Sequence, residues 1–334
     1  MNRLSWKAAN EGFCMPEPGK VGVVTVTYNS EKVIDAFMEC MLKQDCGNLI
    51  LYVIDNSSSD LTMQKVSAYQ DPRVVLIANS RNVGVAEGNN QGIRAALEAE
   101  CDYVLLINND TEFGSSLISA LRADCCKYQC DMIVPKIMYY DRPEVLWYAG
   151  GGLSRVRATG FHYGVGCRDT GQFDIPCQVD YAPTCCMLIH REVFKRVGLM
   201  DARYFVYFDD TDFCFRARRC GQKLYYSPSQ QLFHKVSSLT GGGETEFSIV
   251  YITRNHVYYI AKNLGWLPCV FYLPLYQLSI TAKLVTRRLS LRGYRASQAG
   301  FWDGIRMSFW GDSNDHDHDL PISRDVIAAK GKVS

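Results

Sequence analysis

The chain has 334 residues, room for one large domain with an appendage or for two modest ones. Lys+Arg 36 against Asp+Glu 35 leaves a formal net charge of +1, which excludes a general polyanion-binding field, so no nucleic-acid partner is expected and any phosphate must be met by local groups. The 14 Cys form no Cys-x-x-Cys pair, and the doublets Cys125-Cys126 and Cys185-Cys186 suit neither a zinc ribbon nor a disulfide framework, so they read as reduced, mostly buried thiols of a cytosolic protein.

Residues 1–20 read as a loosely ordered arm, and no apolar run of signal-peptide length precedes Glu17-Pro18-Gly19, which disfavours export. Val21 to Thr27 is a β-branched first strand passing into Tyr28-Asn29-Ser30, where Ser30-Glu31 marks a helix start that carries through Leu42. Leu49 to Ile54 is a second strand ending in Asp55 to Asp60, and Val74 to Ala78 a third ending in Asn79-Ser80-Arg81-Asn82. A glycine-punctuated helix, Gly84 to Ala99, leads to a fourth strand. Its four apolar residues, Val104 to Ile107, suit a central parallel strand covered on both faces, and they stop abruptly at Asn108-Asn109-Asp110-Thr111. Strands alternating with helices, each ending in polar residues, predict an α/β fold with a parallel sheet and a site at its carboxyl edge. An Asp there can hold a divalent cation against a phosphate, or these residues can cap and open the next helix; both readings stand at this point.

Beyond Thr111 the pattern predicts a helix over Ser115 to Tyr128, a short strand at Met132 to Pro135, and loops or an irregular hairpin from Ala149 to Gly171. Gly150-Gly151-Gly152 is not a P-loop, since no Lys-Ser/Thr follows it. Thr184 to Ile189 is an apolar strand running into a helix from His190 to Val197, and Phe205 to Phe208 end in Asp209-Asp210-Thr211-Asp212. A helix over Phe213 to Cys220 stops at Gly221, Leu224 to Tyr226 open a last strand, and Phe233-His234-Lys235 precede a loop at Thr240 to Gly243.

Four strand ends thus converge: Thr27-Tyr28-Asn29, Asp55-Asn56-Ser57, Arg81-Asn82 and Asn108-Asn109-Asp110. Their order and spacing resemble the family 2 glycosyltransferases of GT-A fold, which transfer a sugar from a nucleotide diphosphate sugar with inversion. The resemblance covers roughly residues 21 to 260 and is nearest to the bacterial rhamnosyltransferase-like branch, in which Asn-Asn-Asp stands in for the Asp-x-Asp metal motif. Asn82-Val83-Gly84-Val85-Ala86-Glu87-Gly88-Asn89-Asn90-Gln91-Gly92, Phe208-Asp209-Asp210-Thr211-Asp212-Phe213-Cys214 and Tyr251-Ile252-Thr253-Arg254-Asn255 match that branch as well.

The resemblance implies a GT-A, Rossmann-like catalytic domain over 21–246, with a nucleotide-binding half at 21–113, an acceptor half at 114–246, and a C-terminal helical region at 247–334. It assigns Thr27, Tyr28 and Asn29 to the base and ribose pocket, Asp55 to the nucleobase with Asn56 beside it, Arg81 to the base or diphosphate, and Asn82 to the donor side. Asn108 and Asn109 complete the donor side, Asn109 toward ribose. Asp110 becomes the ligand of a divalent cation, Mg²⁺ or Mn²⁺, with His234, on the loop after the catalytic helix, closing the metal site; Asn108 in place of a carboxylate implies that the ion arrives with the donor. Asp210 becomes the general base, Asp209 orients acceptor or metal, and Asp212 caps the following helix. Without the resemblance, Asp55 reads equally as a turn residue, His234 as a partly buried structural histidine, and Asp209 to Asp212 as a capping cluster. The implied donor is a dTDP- or UDP-sugar, dTDP-rhamnose first and a UDP-hexose or furanose second, and the acceptor is a glycan or lipid-linked saccharide. A nucleotidyltransferase would need a glycine-rich basic loop that Thr27-Tyr28-Asn29-Ser30 does not provide, and a non-catalytic binding module would need no Asp210.

Trp266 to Val285 is apolar and aromatic, long enough to span a bilayer but interrupted by Pro268, Pro274, Gln277 and Lys283. Arg287, Arg288, Arg292 and Arg295 follow it. A helix pair lying on the cytoplasmic membrane surface fits this pattern; a core helix or the interface of a homo-oligomer is the other reading. Asp315-His316-Asp317-His318-Asp319 reads as a solvated tail rather than a metal site.

Overall fold

The β-branched run opens the fold as β1 (Val21–Thr27), after which helices and strands alternate: α1 (Ile34–Leu42), β2 (Leu49–Asp55), α2 (Thr62–Ala68), β3 (Val74–Ala78), α3 (Gly84–Glu98) and β4 (Tyr103–Ile107). β1 lies between β2 and β4 and is parallel to both, with β3 parallel to β2 on the outside. Covered on both faces, β4 buries all five of its residues, which is why its sequence is a continuous apolar run. α3 lies directly on β1 because Gly92 has no side chain; a Cβ there would fall 2.3 Å from Val24 Cγ1. The computed structural model describes residues 19–236 and 245–310. The arm at 1–18, the Thr240 to Gly243 loop and the Asp315 to Asp319 run lie outside the described residues.

The chain continues through β5 (Thr111–Phe113), α4 (Leu117–Tyr128), β6 (Met132–Tyr139), β7 (Leu146–Tyr148), the hairpin β8 (Gly151–Ser154) and β9 (Thr159–His162), β10 (Cys177–Val179), β11 (Cys186–His190), α5 (Arg191–Val197), α6 (Asp209–Arg219) and β12 (Leu224–His234). Among the described residues the main sheet runs β10-β12-β6-β11-β4-β1-β2-β3. β11 is antiparallel to both β4 and β6, so the sheet is parallel through its first half and mixed beyond β4. The carboxyl ends of β1, β2, β3 and β4 therefore share one edge, where the polar residues of the sequence gather.

Several expectations change in detail. The helix expected from Ser30 begins only at Ile34, because the Ser30 carbonyl accepts from Val33 and Ile34 N–H in a preceding turn. α2, a short helix after Asp60, was not expected. Asn108 to Thr111 do not open a helix: Thr111 starts β5, which pairs with β12. The strand expected to end at Pro135 runs on to Tyr139 because β12 stays parallel to it through a bulge at Ser227/Gln231. Ala149 to Gly171 contains a regular hairpin, and α6 begins at Asp209 rather than Phe213. The described cysteines are free but less uniformly buried than expected, with Cys126, Cys167, Cys177 and Cys220 exposed.

Three helices close the described chain: α7 (Glu246–Leu264), α8 (Trp266–Val285) and α9 (Leu291–Phe309). Cys269, Leu273 and Ile280 of α8 join a second apolar cluster with Tyr258 and Ile260 of α7 and Phe301 of α9. The other side of α8 exposes Leu267, Phe271, Leu275 and Leu278, spaced as one helical stripe, and Arg287, Arg288, Arg292 and Arg295 beyond it are exposed too. No described helix is long and apolar enough to cross a membrane.

Candidate active site

At the carboxyl ends of β1 and β2 the Thr27 hydroxyl donates to Asp55 Oδ1 at 2.9 Å, the Ser58 hydroxyl to the same oxygen at 2.6 Å, and the Ser58 N–H to Oδ2 at 2.9 Å. Asp55 is wholly buried, so in this structure its carboxylate builds the turn after β2. Asn56 is engaged as well: its Nδ2 donates to the Gly84 carbonyl at 3.0 Å and its Oδ1 accepts from Asn79 Nδ2 at 2.9 Å. Asn82 Oδ1 accepts from Gly84 N–H at 2.9 Å, and Asn29 Oδ1 from Ser59 N–H at 2.8 Å. These bonds tie the strand ends into one cradle. Among the groups the cradle presents to solvent are Tyr28, 45 % exposed, and the exposed Asn29 and Arg81.

The next group is set by strand pairing. β12 pairs antiparallel with β5, which puts His234 opposite Thr111 and its Nε2 3.3 Å from Asp110 Oδ1. His234 is thus the last residue of a strand, not part of a loop. Asp110 and His234 are both buried, Lys235 N–H donates to the Asp110 carbonyl at 2.9 Å, and Trp147 packs edge-on against the imidazole at 4.6 Å. Asn108 N–H donates to the Cys185 carbonyl at 2.9 Å, while Asn109 Nδ2 reaches Val26 O and leaves its buried Oδ1 without a hydrogen-bond partner. An oxygen and a nitrogen ligand side by side fit one divalent cation, and His234 Nδ1, buried and unpartnered, is consistent with an imidazole not held by a structural bond. Among the described residues no group of three or more ligating side chains forms, so a cation here would draw its other ligands from a bound phosphate or water.

The carboxylates of α6 form the third group. Asp209 is buried with Oδ2 unpartnered, and burial together with the neighbouring Asp210 pushes its carboxyl up to about 7. Asp210 is half-buried; Oδ1 accepts from Thr211 N–H at 2.6 Å and Oδ2 from the Tyr181 hydroxyl at 2.9 Å. Burial raises its carboxyl as well, against the pull of these two bonds. Asp212 is not a helix cap. Fully buried, it accepts from Arg216 Nε at 2.7 Å, Lys262 Nζ at 2.7 Å, Asn263 Nδ2 at 2.8 Å and Tyr204 O–H at 3.2 Å, which ties α6 to α7.

α7 also holds the loop that delivers this carboxylate pair. Asn255 Nδ2 lies 2.7 to 2.9 Å from the carbonyls of Tyr204, Val206 and Tyr207, and Arg254 Nη2 lies 2.9 Å from Arg203 O and 3.0 Å from Tyr204 O. Phe205, Tyr207 and Phe208 all have positive φ, conformations that persist only when their surroundings fix them. Val85 N–H, at the start of α3, donates to the Phe205 carbonyl at 2.6 Å, joining this loop to the donor edge. A column of rings completes the connection: His234 packs on Trp147, Trp147 on His162 at 4.7 Å and His162 on Tyr181 at 5.7 Å, and Tyr181 bonds Asp210. Trp147, His162, Tyr181 and Lys262 were not singled out by sequence, since no local spacing marks them.

Residues 22–198 match the family model described as Glycosyl transferase family 2. The chain is 25 % identical over 214 residues to dTDP-rhamnosyl transferase RfbF of Shigella flexneri, a match spanning 64 % of this chain and 68 % of that protein. It is 22 % identical over 262 residues to N-acetylglucosaminyl-diphospho-decaprenol L-rhamnosyltransferase of Mycobacterium tuberculosis, covering 73 % of this chain and 85 % of the relative. Among solved structures it resembles the mannosyltransferase PcManGT of Pyrobaculum calidifontis in complex with GDP-Man and Mn²⁺, with a TM-score of 0.54, 15 % identity, and 93 % of this chain and 92 % of that one covered. That likeness is one of fold.

Proposed function

The chain belongs to glycosyltransferase family 2, and from that premise we propose that it is an inverting, divalent-metal-dependent transferase moving rhamnose from dTDP-rhamnose to a lipid-linked saccharide of a bacterial surface glycan. The observation that carries the proposal is the Asp110–His234 pair, linked through the rings of Trp147, His162 and Tyr181 to the paired carboxylates Asp209 and Asp210 that open α6. The sugar and the acceptor are supported by what the Shigella and Mycobacterium relatives are named for.

A divalent cation held by Asp110 and His234 would neutralise the departing diphosphate. Tyr28 offers a ring face to the nucleobase, and Arg81 a cation to base or phosphate. The acceptor oxygen forms its bond to the anomeric carbon on the face opposite the diphosphate, the bond to the diphosphate breaks, and the acceptor proton passes to Asp210. Asp209, its carboxyl held up by burial and by Asp210, stays partly protonated near neutrality and leaves Asp210 as the accepting partner of the pair. The exposed stripe of α8 and the four arginines after it support a position on the cytoplasmic membrane surface, where a lipid-linked acceptor presents its saccharide.

The test is a donor screen with Mg²⁺ or Mn²⁺, reading thermal stabilisation and released product. Free dTDP from dTDP-rhamnose supports the proposal. Stabilisation by no nucleoside diphosphate with either metal, or release of pyrophosphate instead, ends it.

A further inference from the structure

Asp210 has a built partner. Tyr181 lies between β10 and β11, and its hydroxyl donates to Asp210 Oδ2 at 2.9 Å. Burial pushes the Tyr181 phenol well above its usual range, so it keeps its proton and remains the donor. The Tyr181 carbonyl accepts from the Tyr148 hydroxyl at 2.9 Å, and the His162 ring stacks on the Tyr181 ring with 23° between planes. His162 is itself held: its Nδ1 lies 2.9 Å from the Trp147 carbonyl, which can only accept, so that nitrogen carries the hydrogen.

The hairpin β8–β9 closes the seat. A Cβ on Gly160 would lie 2.7 Å from Cδ2 and Cε2 of the Tyr181 ring, and one on Gly151 would lie 2.7 Å from the Tyr181 carbonyl oxygen. The hairpin's glycines are therefore where the ring and backbone of Tyr181 fit. Titratable groups facing Asp210 among the described residues are Asp209 and Cys214 on its own helix and Tyr181 across from it. Asp209 opposes the charged form of Asp210 by repulsion, whereas a donor on Oδ2 favours that form.

We infer that Tyr181, seated by the glycine hairpin, is a positioning residue for the proposed base: its hydroxyl fixes one oxygen of Asp210 and keeps the carboxylate in its charged, proton-accepting form. This rests on the reading of Asp210 as the base. Proton transfer is unchanged by it; the acceptor proton still goes to Asp210, and Tyr181 keeps its own.

The experiment compares Tyr181→Phe, which retains the seated ring and removes only the hydroxyl, with wild type and Asp210→Asn. Carboxyl-¹³C titration of aspartate-labelled protein reads Asp210 directly, its signal assigned by its loss in Asp210→Asn. Losing a hydrogen bond to the charged form moves the Asp210 midpoint up by about one pH unit. The acid limb of kcat for dTDP-rhamnose hydrolysis should move with it: about a tenfold loss of kcat below the limb, recovered at higher pH, with donor KM unchanged. Gly160→Val, which displaces the ring, should shift the midpoint in the same direction. An unmoved midpoint in Tyr181→Phe, with Asp210→Asn inactive, overturns the role of Tyr181 alone. Wild-type turnover by Asp210→Asn instead overturns the base assignment on which the inference stands.

Discussion

Replacing Phe271, Leu275 and Leu278 together by Ser should release the protein from anionic membranes. The three side chains are 66, 63 and 64 % exposed on one stripe of α8, so each can give roughly two-thirds of its apolar surface to lipid without disturbing the core. Complete transfer of such a side chain from water is worth about 1.5–3 kcal/mol, which scales here to about 1–2 kcal/mol each and about 3–6 kcal/mol for the three. At about 1.4 kcal/mol per tenfold, vesicle affinity should weaken by about 10²- to 10⁴-fold. Arg287, Arg288, Arg292 and Arg295 would add about 1 kcal/mol each at an anionic surface, and only this share is lost as salt shortens the screening length. Cosedimentation with phosphatidylglycerol–phosphatidylcholine vesicles at low and high salt separates the two contributions, and donor hydrolysis should be unaffected. If wild type ignores the vesicles, or the triple variant unfolds or loses a dimer, the stripe does not face lipid.

Asp110→Ala should lose metal-dependent donor binding, as should chelation of the wild type, while Asp210→Asn keeps donor affinity and loses turnover, because metal ligation acts on the ground-state complex and the base only as the proton moves. Calorimetry with dTDP, with and without Mn²⁺, checks this; equal loss of affinity in both variants would show Asp210 misassigned. Asp212→Ala should destabilise the protein by about 3 kcal/mol, the low end of the cost of breaking a buried pair, because Arg216 and Lys262 keep other acceptors. Urea unfolding reads it, and a change near zero would mean the network is not stabilising. Asp209 has a folded-state carboxyl raised from 3.8 to about 7, so the native state holds the extra proton across that window and stability falls as pH rises through it. Asp209→Asn should remove this slope and raise the melting temperature most at alkaline pH; an unchanged slope would place the ionisation elsewhere.

The parallel half of the fold was legible because its causes are local. Val21 to Thr27 and Val74 to Ala78 are strands over those same residues, and Trp266 to Val285 is a helix over its whole expected length. What was misread depends on distant partners. Asp212 resembles a cap until Lys262 and Asn263, some fifty residues on, fold against it. Pro228 and the bulge at Ser227/Gln231 disguised the strand that carries His234, since a proline inside a strand pattern argues against one. Asp55 and Asn56 lie at the end of β2, with their side chains bonded to neighbouring turns. Tyr181 carried no signal, because its bond to Asp210 crosses from one loop to another element.

The hold of Asn255 and Arg254 on the loop before α6 also has a consequence in time. A polypeptide emerging from the ribosome completes the donor edge, the Asp110–His234 pair and the Asp209–Asp210 pair before residue 255 is made, yet until then the carbonyls of Tyr204, Val206 and Tyr207 lack the amide that gathers them. The left-handed residues of that loop are without their clamp for the same interval. The nascent chain therefore acquires its chemical groups early and the clamp on the loop that carries them late, once α7 has cleared the exit tunnel and docked.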